Sequence, residues 1–461
     1  MSVSDPATIP GEAPKTVRPD GPALSAVRRG HGPLGSVALQ AGIVLVGAVV
    51  ALLRVGGVPS WDSGYSDDAH IFLIDALAHP WHLLMPYGGY EELLPRLLIQ
   101  LISYLPLVYV AKALASTGAI IDSLCALFIY HATRDLMASR WMRVAAALAL
   151  LLQPLAPLEQ LDNVVNTPWL LEVAFFVALF WRPRTRAGVI ASGLVAFAAA
   201  SSEFLLVTFA PVVLLRLFLM PRRWREQVVS ICWAAGLVVQ VPVYLMAKAE
   251  HLQRRPADHS LLYALRGYAE RVLQRVPGMV FSDHLNHVVG IPAASAIVTV
   301  FVVAGLIWAL ATGTRRSRIF IVSAVVMGFI ESAVTSILST YANRYDFIDI
   351  TFITLAALVA VDTYWQRREA AAANPGEAGV APATRARRTR ARVVVALLAC
   401  LLVAMWGTGF RHTRVWPQDK WQADLSLWQS ECHYSTKGTL YFPAPVDTVQ
   451  AESVPCAKIV G

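Results

Sequence analysis

Long apolar runs recur from Ser36 to Phe410, separated by short basic loops, and this pattern constrains the fold more than any single residue. Several runs are long enough to cross a hydrocarbon core of about 30 Å, which takes roughly 20 helical residues. Backbone polar groups inside lipid must be satisfied within the protein, and no run alternates with period two. The spans are therefore expected to be helices rather than barrel strands. Composition agrees. Of the 461 residues, 56% are hydrophobic and 15% charged, with a mean hydropathy of +0.52, which excludes an ordinary soluble domain.

The net charge of +8 does not point to nucleic acid, because the basic residues sit in the loops. They cluster at Arg28-Arg29, Arg134/Arg140/Arg143, Arg182/Arg184/Arg186, Arg222/Arg223/Arg225, Arg315/Arg316/Arg318 and from Arg385 to Arg392. Placing each cluster in the cytoplasm gives an all-α polytopic membrane protein of about eleven helices, N-terminus inside and C-terminus outside. The predicted spans are 36–55, 108–131, 144–158, 168–181, 187–200, 204–219, 228–248, 291–311, 319–339, 347–365 and 393–410. The first run lies behind a tail of more than thirty residues and shows no small-residue cleavage site, so it reads as a retained anchor.

The domain reading follows. Residues 1–35, rich in Pro, Gly and Ala, form a disordered cytoplasmic tail. Residues 36–365 form a ten-helix membrane core with outer loops at 56–107 and 249–290. A basic cytoplasmic linker covers 366–392, the last helix 393–410, and an extracytoplasmic tail 411–461. In the first outer loop, Ile71 to Leu84 and Leu93 to Leu105 read as interfacial helices, with Trp61, Trp81, Tyr87 and Tyr90 at headgroup level. Cys125, Cys232 and Cys400 fall inside helices, where a small soft residue packs. Cys432 and Cys456 both fall in the outward tail, where oxidation is allowed, and a disulfide between them is expected.

The third to sixth spans are short for a bilayer. Fourteen to sixteen helical residues reach only about 21–24 Å. Glu159, Asp162, Asn163 and Asn166 lie at one pair of outer ends, and Ser201-Ser202-Glu203 at the next, with Pro154, Pro157 and Pro168 breaking the helices at the same level. Such turns either floor a wet outer cavity, lined by Asn163, Asn166, Glu203 and Tyr345, or thin the bilayer around them.

The first outer loop reads Trp61-Asp62-Ser63-Gly64-Tyr65-Ser66-Asp67-Asp68-Ala69-His70. Adjacent carboxylates repel, so one tends to hold a proton while the other accepts one, the poise of a base facing an acceptor hydroxyl. The bland alternative is a solvated interfacial turn. Asp67-Asp68-Ala69 resembles the Asp-Asp-X form of the acidic first-loop motif of the GT-C class of membrane glycosyltransferases in type, position and sidedness. Pro86-Tyr87-Gly88-Gly89-Tyr90, Leu94-Pro95-Arg96 and the Asn163…Asn166…Trp169 turn also resemble bacterial membrane proteins of this general kind. The resemblance covers about residues 36–365 as architecture and only short stretches as motif.

The resemblance implies a polyprenyl-phosphate sugar donor, a glycan, glycolipid or protein acceptor on the outer face, and Asp67 as general base with Asp68 as its partner. It places the chain in a bacterial plasma membrane with its site outward and makes membrane lipid a partner. The donor phosphate then needs cations on the outer side. Arg344, in Tyr341-Ala342-Asn343-Arg344-Tyr345-Asp346, is the first candidate because Arg grips phosphate bidentately. Arg96 is the second, and internal ion pairs or headgroups are the alternative role of each. The loop 249–290 carries Arg254, Arg255, Arg266, Arg271 and Arg275 on the outer side, and Leu262 to Val276 reads as a basic amphipathic helix on anionic headgroups. The sequence identifies no certain cofactor. A divalent cation stays open, because the resembling class includes members with and without one, and Asp283, His284 and His287 have an i, i+3 histidine spacing that metal sites share with incidental pairs. The alternative function is a transporter or flippase using the intramembrane Asp122 and Glu331. The absence of self-similarity between the two halves argues against it.

Overall fold

The apolar runs fold as helices. The computed structural model describes residues 33–65, 67–153, 155–156, 160–221, 223–250, 260, 262, 265, 268, 303–338, 343–373, 412–413, 420–442 and 452–460. The chain divides into 1–41, whose described part is the first turns of α1 (Pro33–Arg54), and 42–461. The second unit continues with α2 (Leu73–Ala78), α3 (Leu93–Ile102), α4 (Leu107–Ala132), α5 (Arg140–Leu152), α6 (Thr167–Phe180), α7 (Arg186–Ser202), α8 (Ala210–Leu219) and α9 (Trp224–Ala249). After these come α10 (Val303–Thr312), α11 (Arg315–Leu338), α12 (Asn343–Ala373), α13 (Trp421–Tyr434) and α14 (Ala457–Val460).

Among the described residues five helical stretches are long and apolar enough to cross a membrane: 37–54, 107–135, 224–249, 315–337 and 346–368. The shorter apolar helices match the short spans read from sequence. α6, with 14 residues, is buried along its whole length. That is the expected place for a helix apolar on every side. Its Phe176 and Phe180, one turn apart, pack on Phe320 of α11 at 5.2 and 5.0 Å between ring centroids. Phe176 also meets Phe352 of α12 at 4.6 Å. α4, α7 and α12 pack around α6, with α9 on α7 and α11 on α12.

Contacts sort the helix ends into two sets. Asp135 beyond α4 receives Arg182 and Arg184 beyond α6, and lies 3.8 Å from Arg316 of α11. Asp362 near the end of α12 accepts from Ala138 and Ser139 before α5. These ends carry the basic loops. At the opposite set, the end of α1 meets the end of α5 and the start of α12, and α3 joins the end of α7 through the Leu94 amide to Ser202 Oγ at 2.9 Å. The up-and-down order of the sequence reading is reproduced where the structure describes it.

Several boundaries move. The span predicted over 144–158 begins at Arg140 and stops at Leu152, because Gln153 precedes Pro154 and turns extended (φ −59°, ψ 133°). The interfacial helix expected to reach Leu84 ends at Ala78, where His79 precedes Pro80 and Trp81 takes φ 66°. The stretch from Phe204 to Phe209 is a tight 3₁₀ run before α8. α12 continues through Gln366 to Ala373, residues of high helix propensity, into what read as linker. Of 249–290 only isolated positions are described, and the last helix, 393–410, lies outside the described residues.

A second core covers the loop between α1 and α4. Phe72, Ile74, Ile99 and Val110 pack with Trp421, Trp428 and Val454 of the C-terminal tail. The described part of the tail comprises a short strand, His412–Thr413, paired in parallel with Val55–Gly56, then α13, an antiparallel pair of Thr439–Phe442 with Glu452–Pro455, and α14. The expected Cys432–Cys456 disulfide is present and ties α13 to the end of the hairpin.

Candidate active site

Asp67 and Asp68 open a single wide helical turn, Asp68–Phe72, that leads into α2. The two acids have different surroundings. Asp68 is buried (1% exposed), and its two oxygens accept from the consecutive amides of Val164 (2.9 Å) and Val165 (2.8 Å) in the turn before α6. Hydrogen bonds to a carboxylate are about twice as strong as neutral ones. Asp68 therefore holds the first outer loop to the entry of α6. Asp67 is half-buried, and its Oδ2 accepts from Tyr87 Oη at 3.1 Å. Tyr87 is itself fixed. It bridges Tyr90 across Gly88-Gly89, whose φ values of 61° and 102° need glycine, and its ring meets Phe72 at 5.0 Å.

The turn that Asp68 grips is built from polar groups. The Asp162 amide donates to Asp122 Oδ2 (3.1 Å), and Ser60 Oγ to Asp162 Oδ2 (3.0 Å). Asn163 Oδ1 accepts from the Asn166 amide (2.8 Å), and Asn163 Nδ2 donates to Leu161 O (3.2 Å). Asp162 has φ 60°. The backbone of Asn163 lies so close to Gly118 of α4 that a Cβ there would stand 2.6 Å from its nitrogen. Arg54 of α1 donates to Leu151 O and, at 3.1 Å, to Gln153 O, filling orphan carbonyls at the end of α5. Asn163 (0% exposed) and Asn166 (2%) are thus interior members of this turn.

The other expected residues are distributed as follows. Glu203 is buried at the end of α7 and accepts from the Leu205 amide at 3.0 Å. Arg96 in α3 is buried and points inward. It bonds Asp75 at 3.0 Å, lies 3.7 Å from Glu91, and stands over the Phe72 ring at 4.7 Å. Arg344 and Tyr345 occupy the first turn of α12, but their side chains are outside the described residues. Asp283, His284 and His287 also lie outside them, and among the described residues no three His, Cys, Asp or Glu side chains are grouped to hold a metal ion. Glu91 is buried beside Arg96, its backbone joined to Gln240 of α9 in both directions (2.8 and 3.0 Å). Burial raises its carboxyl to about 8, outweighing the nearby Arg96 and the Glu92 amide, which act to lower it.

Two features were not foreseen. Glu172 in the middle of α6 is fully buried and within electrostatic reach of Glu331, Glu203 and Asp349. Glu331 accepts from Thr208 Oγ1. The signal was available, since Glu172 is the lone acid of an apolar run. The second is the tail. Trp421 stands against Gly64, where an added Cβ would meet its ring at 3.1 Å. Trp421 also donates to Leu107 O (2.7 Å). His70 faces Asp424 at 3.8 Å and the Trp428 ring at 5.8 Å, and His79 bonds Glu452 at 2.7 Å. The tail thus brackets the acid pair on both sides, a contact that no local pattern announces.

No family model and no curated protein matches the chain. Among solved structures the chain is similar to ArnT from Cupriavidus metallidurans in the apo state, at 18% identity over 82% of this chain and 75% of that one, with a TM-score of 0.43. It is also similar to the Archaeoglobus fulgidus oligosaccharyltransferase tethered with an acceptor peptide, at 12% identity over 85% of this chain and 57% of that one, with a TM-score of 0.43. A likeness this distant assigns no activity to the chain.

Proposed function

We propose that the chain is a membrane glycosyltransferase that moves a sugar from a polyprenyl-phosphate donor to an envelope glycan, glycolipid or protein acceptor at the outer face of a bacterial plasma membrane. The supporting observation is the asymmetry of the acid pair. Asp68 has both oxygens engaged by backbone amides, while Asp67 keeps one oxygen without a hydrogen-bond partner among the described residues and the other oriented by Tyr87. Asp67 is then the general base. It takes the proton of the acceptor hydroxyl as that oxygen bonds to the anomeric carbon. The carbon–oxygen bond to the donor phosphate breaks, polyprenyl phosphate leaves, and the configuration inverts. Asp68 acts as a positioning residue.

Arg344 is assigned to the donor phosphate from its place at the start of α12 on the outer end. Arg96, whose neighbours are Asp75 and Glu91, is the weaker candidate for that role and orders the loop instead. Asn163 and Asn166, in the turn that Asp68 grips, and Glu203 are assigned supporting roles beneath the site, and Tyr345 is assigned to it only as the sequence neighbour of Arg344. A divalent cation remains compatible with this scheme.

A carrier reading is favoured by one observation, the buried group Glu172, Glu203, Glu331 and Asp349. Asp122 is less suited to it, being bonded to the Asp162 amide. Glycan and glycolipid mass analysis of a deletion strain separates the readings. A sugar lost on deletion, restored by wild type and by Glu331→Gln but not by Asp67→Asn, supports transfer. Full restoration by Asp67→Asn would sink the catalytic assignment.

A further inference from the structure

The basic set of helix ends contains a cavity of about 220 Å³ between the ends of α6 and α8 and the first turn of α11. Leu215 and Leu219 of α8 and Ile319 of α11 form apolar walls, and Arg182, Arg216, Arg315 and Arg316 also line it. Two of these arginines are built into the fold. Arg216, 2% exposed, donates to the carbonyls of Ala178 (3.0 Å), Leu179, Trp181 (3.2 Å) and Glu226 (2.6 Å), while its buried Nε has no partner among the described residues. Arg316 donates to Phe180 O and lies 3.8 Å from Asp135.

The other two arginines are open. Arg182 and Arg315 are exposed; Arg182 uses its Nε on Met220 Sδ at 3.0 Å, and Arg315 has no ion pair or hydrogen bond among the described residues. The carboxylates that reach this group are Asp135, which also serves Arg184, and Glu226. Positive charge is therefore in excess around an apolar hollow at one end of the bundle.

We propose that this cavity seats the phosphate of an anionic phospholipid from the leaflet at the basic face. Arginine forks match phosphate oxygens, and basic pockets between membrane helices take acidic headgroups. The volume is below the roughly 300–1,000 Å³ that encloses a whole small ligand, so only the headgroup enters. The acyl chains lie outside along α8, where Leu214 and Phe218 are 54% and 85% exposed. Those apolar faces favour a lipid over a soluble phosphate.

The test is lipid retention by the purified full chain, read by native mass spectrometry after exchange against phosphatidylglycerol or phosphatidylcholine, with glycerol 3-phosphate as the soluble competitor. Phosphatidylglycerol is expected to be retained at least tenfold better than phosphatidylcholine. Arg182→Gln and Arg315→Gln should each weaken it about fivefold without moving the melting temperature, and the lysine variants should fall between. Equal retention of both lipids, or a double variant that binds as wild type does, overturns the proposal. Competition by glycerol 3-phosphate at parity with the lipid also overturns it, by making the site one for soluble phosphate.

Discussion

The two ends of the bundle each contain an aspartate that grips two consecutive backbone amides just ahead of a helix. At the end opposite the basic loops Asp68 holds Val164 and Val165 before α6. At the basic end Asp362 holds Ala138 and Ser139 before α5, at 2.9 and 3.0 Å. Both aspartates are 1% exposed. In both cases the carboxylate grips amides of the turn leading into a helix, near the end where the helix dipole favours a negative charge. What differs is the neighbour. Asp362 is followed by Thr363, whereas Asp68 is preceded by an unclamped acid, Asp67. The catalytic reading rests on that second carboxylate.

The largest effects should come from breaking the clamps. Asp68→Ala and Asp362→Ala each remove two bonds from backbone amides, and Asp362→Ala also loses the Gln366 amide; the two amides left unsatisfied cost about 3–6 kcal/mol apiece at 1.5–3 per bond. Thermal unfolding in detergent should show comparable falls for the two. A much smaller fall for Asp68→Ala would mean that its bonds to Val164 and Val165 contribute little, and Asp68 would return as a candidate base.

Asp67→Asn separates the pair from the clamps. It keeps an acceptor for Tyr87, so stability should stay within about 0.5 kcal/mol, while transfer falls by about 10²–10⁴-fold, the usual range for losing a general base. Sugar transfer measured beside a melting curve checks both halves. An active, stable variant removes Asp67 from the chemistry.

Reduction of the tail comes next. Cys432 and Cys456 are 24 residues apart, and losing the cross-link should cost about 2–4 kcal/mol, confined to the tail. Hydrogen exchange in Cys432→Ser should rise in 64–78, where Trp421, Asp424 and Trp428 meet the acid-bearing loop, and activity should fall severalfold. Exchange raised only within 420–460 would show that the tail covers the loop without ordering it.

What the sequence made legible follows from how local the causes are. α4, α9, α11 and α12 are continuous apolar stretches, and their existence and order were readable. The break after Leu152 belongs to Pro154, which marks a helix break in the sequence, although the apolar run itself continues to residue 158. The disulfide was readable because both cysteines fall in one outward segment. The role of Asp68 was not, since its partners lie 96 and 97 positions away, and a fork onto backbone amides leaves no side-chain pattern to find. For Arg96 the sequence leaves a phosphate role and an internal ion pair both open. Its partners Asp75 and Glu91 are nearby in sequence, but only the folded loop shows them facing it.

The finest comparison at the outer end is between its carboxylates. Asp68 accepts from two backbone amides, whereas Glu91, buried beside Arg96, is raised from 4.5 to about 8 by loss of water. The sign follows from proton counting. Between about pH 4.5 and 8 the folded chain keeps the Glu91 proton that the unfolded chain has released. Glu91 therefore favours folding most below this window, and its contribution declines as pH rises through it, by at most about 1.4 kcal/mol per pH unit. Glu91→Gln keeps the shape and removes the titration. Melting temperatures across pH 5 to 8 should show wild type losing ground to Glu91→Gln, by about 1 kcal/mol or less over any single unit. Parallel curves would mean that Glu91 is ionised throughout, that Arg96 holds two anions rather than one, and that its fork is further still from any donor phosphate.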